Sequence, residues 1–173
     1  MRDITSDIGI PTIAAVADDV LLKDPTLLTI GIGTHTNARI AVMRALTEVA
    51  QSRLTQIHGA REDTVTADIR KKMGYDRVKR INGYWFKDNG TVSYEKLRSY
   101  DSDDFAKDIR FAIEALQKRG LDRVIVVDLT REEIGVPVVR VIVPGLEAYA
   151  MDPERRGDRL RHAKNHRFSR AES

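Results

Sequence analysis

Gly31-Ile32-Gly33-Thr34-His35-Thr36-Asn37, followed by the run Ala38 to Ile57, is the stretch that decides the fold. An apolar strand turns through two glycines and enters a long helix. Gly31 and Gly33 permit backbone conformations or close approaches that a Cβ would block. Asn37 stands at the N-cap, where its side-chain oxygen can accept from the free amides of the first turn. On the helical wheel Arg44, Glu48, Gln51 and Thr55 form one stripe below Asn37, and Met43, Leu46, Ala50, Leu54 and Ile57 form the opposite one. The apolar stripe is expected to pack into a core. The polar stripe is either the solvated face of an amphipathic helix or a site offering amide, guanidinium and carboxylate groups in line. Arg53 falls among the apolar positions and needs a partner there, because a buried unpaired charge is costly. Glu62 or Asp63 would supply one. A glycine turn before a helix N-terminus suits an anion, although neither a Walker loop nor a Rossmann fingerprint is present.

Working outward, Ile8 to Ala17 reads as a strand, with Pro11 confining it to an edge or to the strand's start. Thr26 to Ile32 is a second strand. The long helix ends near His58, with Gly59 as a plausible C′ residue, and Thr64 to Met73 forms a short helix stopped by Gly74. Tyr75 to Ser102 has little periodicity and is expected to be a long excursion partly ordered by its aromatics, with Trp85 and Phe86 as a local packing anchor. Asp103 to Arg119 is a second amphipathic helix, since Phe105, Ile109, Ala112, Ile113 and Leu116 recur at three to four. Leu121 to Leu129 contains the unbroken run Val124-Ile125-Val126-Val127, typical of a strand covered on both faces. Val136 to Val143 is a fourth strand, interrupted by Arg140 and stopped by Pro144-Gly145. The expectation is a two-layer α+β domain over residues 1–151, with helices on one face of a four-stranded sheet. Strands and helices are expected to bury their faces together in an adequate core. Residues 152–173 form a basic tail.

At 173 residues the chain amounts to one domain. It has no cysteine, which excludes disulfides, thiolate zinc sites and cysteine nucleophiles, and suits a cytoplasmic protein. No apolar run approaches the roughly 20 residues of a membrane span, and the N-terminus carries no signal-peptide core. The tail holds seven basic and four acidic residues, while residues 1–151 hold 22 of each. A basic body built for nucleic acid is therefore not indicated. A tail of that charge supports an alternative function, a non-catalytic module binding an anionic partner such as RNA.

The run GIGTHTNARIAVMRALTEVAQSRLTQIHGARED, residues 31–63, resembles the central motif of the YcaO family. It has the glycine–histidine turn, Arg-Ala-Leu-x-Glu-x-x-Gln-x-Arg along the helix, and Gly-x-Arg-x-Asp. VPVVRVIVPGLE, residues 136–147, resembles that family's C-terminal strand and Pro-Gly-x-Glu turn. The resemblance covers nearly the whole chain but only the C-terminal half or so of a usual YcaO protein. The family's N-terminal segment, with its paired glutamates, has no counterpart here, so the chain alone is expected to be inactive. It implies an enzyme using ATP and Mg2+ to phosphorylate a peptide backbone amide oxygen, giving azolines, thioamides or amidines. By motif position Glu48 and Gln51 are the implied metal ligands. His35, Asn37, Arg44, Glu48, Gln51, Arg53, Arg61, Arg140 and Glu147 are the implied nucleotide-side residues. The spelling after Asp128 looks most like the archaeal methanogen branch, which implies thioamidation of methyl-coenzyme M reductase. The partners implied are a peptide or protein substrate, the rest of the YcaO fold or a TfuA-like protein, and a possible homodimer.

Overall fold

The computed structural model describes residues 1–58, 65–88, 93–147 and 157–161. The chain divides into two compact units, Met1–Ala112 and Ile113–Ser173.

The first unit holds a three-stranded antiparallel sheet in the order β1 (Arg2–Asp3), β2 (Thr12–Ala17), β3 (Thr29–Thr34). Thr12 pairs with Thr34 and Ala17 with Thr29. Helix α1 (Ala38–His58) packs on β2 and β3. The close approach expected of the two glycines is present. A Cβ built on Gly33 would lie 2.0 Å from the Ala41 carbonyl oxygen and 2.5 Å from the Ala45 amide. One on Gly31 would lie 2.4 Å from the Ala45 oxygen and 2.6 Å from the Val49 amide. Neither glycine has a positive φ, so what demands them is space.

This contact corrects the expected orientation of the helix. The buried stripe is Ala38, Ala41, Ala45 and Val49, packed with Ile13 and Ala15 of β2. Met43, Leu46, Leu54 and Ile57 stay 48% to 62% exposed. Two backbones this close leave room only for small side chains, so the bulky residues turn outward. Helix α1 therefore has three stripes: small residues on the sheet, polar residues on one flank and large apolar residues on the other.

Beyond α1 lie α2 (Val65–Met73) and α3 (Tyr75–Ile81), broken by Gly74 at φ 77°, then 3-10 turns at Gly83–Phe86 and Tyr94–Lys96. The excursion is thus more structured than its weak periodicity suggests. Of the expected anchor pair, Trp85 meets Tyr84 edge-on, with the Arg2 guanidinium 4.7 Å from the Tyr84 ring centre, whereas Phe86 is exposed and lies under the Lys79 ammonium. Helix α4 (Phe105–Gln117) follows, with Phe111 stacked on Tyr100 at 4.2 Å.

An ionic network ties α3 to the residue after β2. The Lys79 ammonium lies 2.9 Å from Asp18 Oδ2, which also accepts from the Tyr75 hydroxyl at 2.9 Å. Partial burial pushes the Asp18 carboxyl up, but hydrogen bonds from Lys79 and Tyr75 and the Lys79 charge outweigh it and hold the group below its ordinary value. The Asp18 carboxylate, with Tyr75, holds Lys79 above its own. A depressed carboxyl gives stability that is present above its unfolded pKa of about 3.9 and lost as pH falls through the folded value. A raised ammonium gives stability present below about 10.4 and lost as pH rises through its folded value. Asp18→Asn is therefore expected to lower the unfolding midpoint by a few degrees at pH 7. The gap to wild type should begin to narrow below about pH 3.9, where the unfolded carboxyl takes up its proton, and close only once pH has fallen past the lower value of the folded carboxyl. A gap that persists in acid would show that the charge is not what ties α3.

The second unit contains a two-stranded antiparallel ribbon, β4 (Ile125–Asp128) and β5 (Val139–Ile142). The expected four-stranded sheet is thus replaced by three strands in one unit and two in the other. The run Val124 to Val127 is not covered on both faces: every residue of β4 and β5 is exposed. The burial expected of all four strands does not occur, and the buried apolar residues are mainly Ala, Val, Ile and Leu around α1 and the strand entering β3. Among the described residues no helix is long and apolar enough to cross a membrane.

Candidate functional site

The β3–α1 turn is held by its own side chains. His35 Nδ1 accepts from the Asn37 amide at 3.0 Å. Asn37 Oδ1 accepts from the Arg39 and Ile40 amides at 2.8 and 3.3 Å, so Asn37 is the N-cap the sequence suggests. The Ala38 amide donates to Ser99 Oγ at 3.0 Å, and the Tyr100 amide to the Thr36 carbonyl at 2.9 Å. The Ala41 amide closes the first helical bond to the Asn37 carbonyl. All four amides that would make this helix end an anion site are thus engaged by the chain. The anion-binding chemistry suggested by the glycine turn has to come from side chains instead.

Those side chains lie on the polar flank of α1. Arg44 and Glu48 are exposed, and their Cβ atoms sit beside the two glycines of β3. Gln51 is exposed one turn further on, and its carbonyl accepts from the Thr55 hydroxyl at 2.9 Å. Glu48 reaches over the strand: its Oε2 accepts from the Ile32 amide at 2.8 Å. The sequence gives no sign of this bond, because it joins residues sixteen apart across a helix–strand contact.

Arg53 belongs elsewhere. It is half-buried and donates to the Leu27 carbonyl at 3.1 Å. Arg70 donates to the next carbonyl, Leu28, at 3.4 Å. The partners expected for Arg53, Glu62 and Asp63, lie outside the described residues, as does Arg61. In the second unit Arg140 is an exposed residue of β5 opposite Val127. There Glu147 Oε1 accepts from the Leu160 amide at 3.0 Å, while its Oε2 is buried with no partner among the described residues. His35, Asn37, Arg44, Glu48 and Gln51 are therefore brought along one turn and one helix flank. Arg140 and Glu147 belong to a separate unit.

The donor set fits a magnesium nucleotide in kind. Mg2+ takes hard oxygen ligands, which the Glu48 carboxylate and the Gln51 amide oxygen are. A guanidinium such as that of Arg44 pairs with phosphate oxygens. It is thin in number: among the described residues no three His, Cys, Asp or Glu side chains come together as a metal cluster.

A sequence model described as "YcaO cyclodehydratase", ATP- and Mg2+-binding, matches residues 1–147. The chain belongs to the YcaO family. An uncharacterized protein of Methanothermobacter thermautotrophicus is 53% identical over 160 residues, covering 92% of this chain and 42% of that protein. The YcaO structure of Methanopyrus kandleri, bound with AMPPCP and Mg2+, superposes with a TM-score of 0.74 at 33% identity, over 87% of this chain and 39% of that one. The heterocyclase TruD superposes with a TM-score of 0.70 at 28% identity, over 91% of this chain and 21% of that one. This YcaO chain thus spans less than half the length of these relatives.

Proposed function

We propose that this chain forms one wall of an ATP- and Mg2+-dependent site that activates a peptide backbone amide for thioamide or azoline formation. The observation that carries this reading is the exposed flank of α1, where Arg44, Glu48 and Gln51 line up below Asn37 in a chain of YcaO membership. The chemistry that bound MgATP supplies is a phosphoryl group that turns the amide oxygen into a leaving group. Glu48 contributes a carboxylate for the metal side, and Gln51 contributes a neutral oxygen beside it. Arg44 neutralises phosphate charge from a root fixed against the backbone of β3. Asn37 spends its side-chain oxygen on the helix cap and keeps its amide nitrogen as a donor toward the nucleotide. His35 shapes the turn. Arg53 serves the backbone of the strand entry rather than phosphate. The methanogen-like spelling after Asp128 favours sulfide as the nucleophile.

Titration of this chain with AMPPCP and Mg2+, followed by NMR, tests the reading. Saturable binding is expected, weakened at least about tenfold by Arg44→Met and by Glu48→Gln. Glu48→Gln keeps an acceptor for the Ile32 amide, so its effect reports charge and not fold. No saturable binding, or equal binding by both variants, would overturn the assignment.

A further inference from the structure

β3 is the last strand of its sheet among the described residues, and its outer edge is only partly closed. The His35 amide bonds the Pro11 carbonyl on the β2 side. By the alternation of an antiparallel ladder, the amides and carbonyls of Ile30, Ile32 and Thr34 then point outward. Arg70 covers the start of this edge at the Leu28 carbonyl. Glu48 covers the middle at the Ile32 amide. No other described group pairs with the outward row. The side chains of Ile32 and Thr34 are exposed as well. An outward donor and acceptor at every second residue match an extended polypeptide and no small ligand.

We propose that the outer edge of β3 receives an extended strand from the part of the YcaO fold that this chain does not span, and that Glu48 latches the edge until that strand arrives. Three observations single out this occupant. Relatives that match nearly all of this chain are more than twice its matched length, so a covering polypeptide exists in the family. Arg44 and Glu48 root directly over β3, so whatever seats on the edge borders the polar flank. Among the described residues that flank carries one carboxylate, Glu48, and no acidic cluster stands near it, which leaves room for a neighbour that carries more. Charged side chains at a sheet edge are also a known way to keep an unpaired strand from recruiting the wrong one. Strand docking would satisfy the Ile32 amide and free the second Glu48 oxygen, Oε2, for the flank. The second step rests on the nucleotide reading above, and the first does not.

The test is therefore run without nucleotide or metal. The tagged chain is coexpressed with the portion of the Methanothermobacter thermautotrophicus relative that lies outside the matched 160 residues. Copurification is expected, with slowed hydrogen exchange at the Ile30, Ile32 and Thr34 amides. Ile32→Pro removes one outward amide at an edge position where proline is tolerated, and should weaken the complex at least about tenfold. Glu48→Ala frees the edge and should tighten it severalfold. Failure to copurify, or a complex in which the three edge amides stay unprotected, would overturn the proposal. The exchange readout decides even where Ile32→Pro fails to fold. Protection of the same amides by self-association of the chain alone would replace the occupant with a second copy and also sink it. Edge protection without AMPPCP binding would sink the nucleotide reading alone.

Discussion

Replacing Gly33 by alanine is expected to destabilise the first unit by about 3 kcal/mol or more, the upper end of what overpacking costs. The added methyl would sit 2.0 Å from the Ala41 carbonyl oxygen and 2.5 Å from the Ala45 amide. Those atoms belong to the helix backbone, which no rotamer change can move aside. Relief requires lifting α1 off the sheet, and that unseats Ala41, Ala45 and Val49 from Ile13 and Ala15 together. For a chain of this size the unfolding midpoint should fall by roughly 10 °C. Gly83→Ala is the control, because nothing lies within 4 Å of a Cβ built there and its φ is ordinary. It should melt within about 0.5 kcal/mol of wild type. Equal melts for the two variants would show that helix and strand are not in the contact described.

The purified chain with Mg2+ and ATP should release no phosphate above background. Phosphoryl transfer rests on positioning and charge neutralisation from several elements at once. On the polar flank a single carboxylate, Glu48, stands with the neutral groups Gln51 and Asn37. No acidic or histidine cluster among the described residues adds to it. In the chain as it stands, one oxygen of that carboxylate, Oε2, is also occupied by the Ile32 amide. Binding with incomplete positioning lowers no barrier. Turnover in the kinase range of about 1–100 per second, lost in Glu48→Gln, would show that this chain holds a complete site.

The glycine turn, the Asn37 cap and the polar flank were legible in the sequence because each is written in local spacing. The packing face of α1 was not. Hydrophobic periodicity rewards Met43, Leu46, Leu54 and Ile57, whereas the sheet selects by volume and takes Ala38, Ala41 and Ala45. The same two glycines that advertise a close approach also decide which stripe makes it. β1 is two residues long, too short for any alternation to register. The run Val124 to Val127 carries the composition of a buried strand, but burial depends on what lies over it. At the site, the flank residues could be named one by one. The bond from Ile32 to Glu48 and the Ser99 hydroxyl at the helix start could not, since both join segments distant in the chain.

The ribbon of β4 and β5 bears on how such a chain fares in a crowded solution. Ile125, Val126, Val127, Val139, Val141 and Ile142 are all exposed on two strands that, among the described residues, pair only with each other. Short segments of this kind, rich in β-branched residues, template the addition of like strands from other copies. Asp128 and Arg140 interrupt the run with charge and act as gatekeepers against stacking. They slow recruitment without abolishing it, so dispersal becomes a race between correct covering of the ribbon and collisions among copies. The soluble fraction of the protein is then expected to fall as its concentration rises, which light scattering across a dilution series checks.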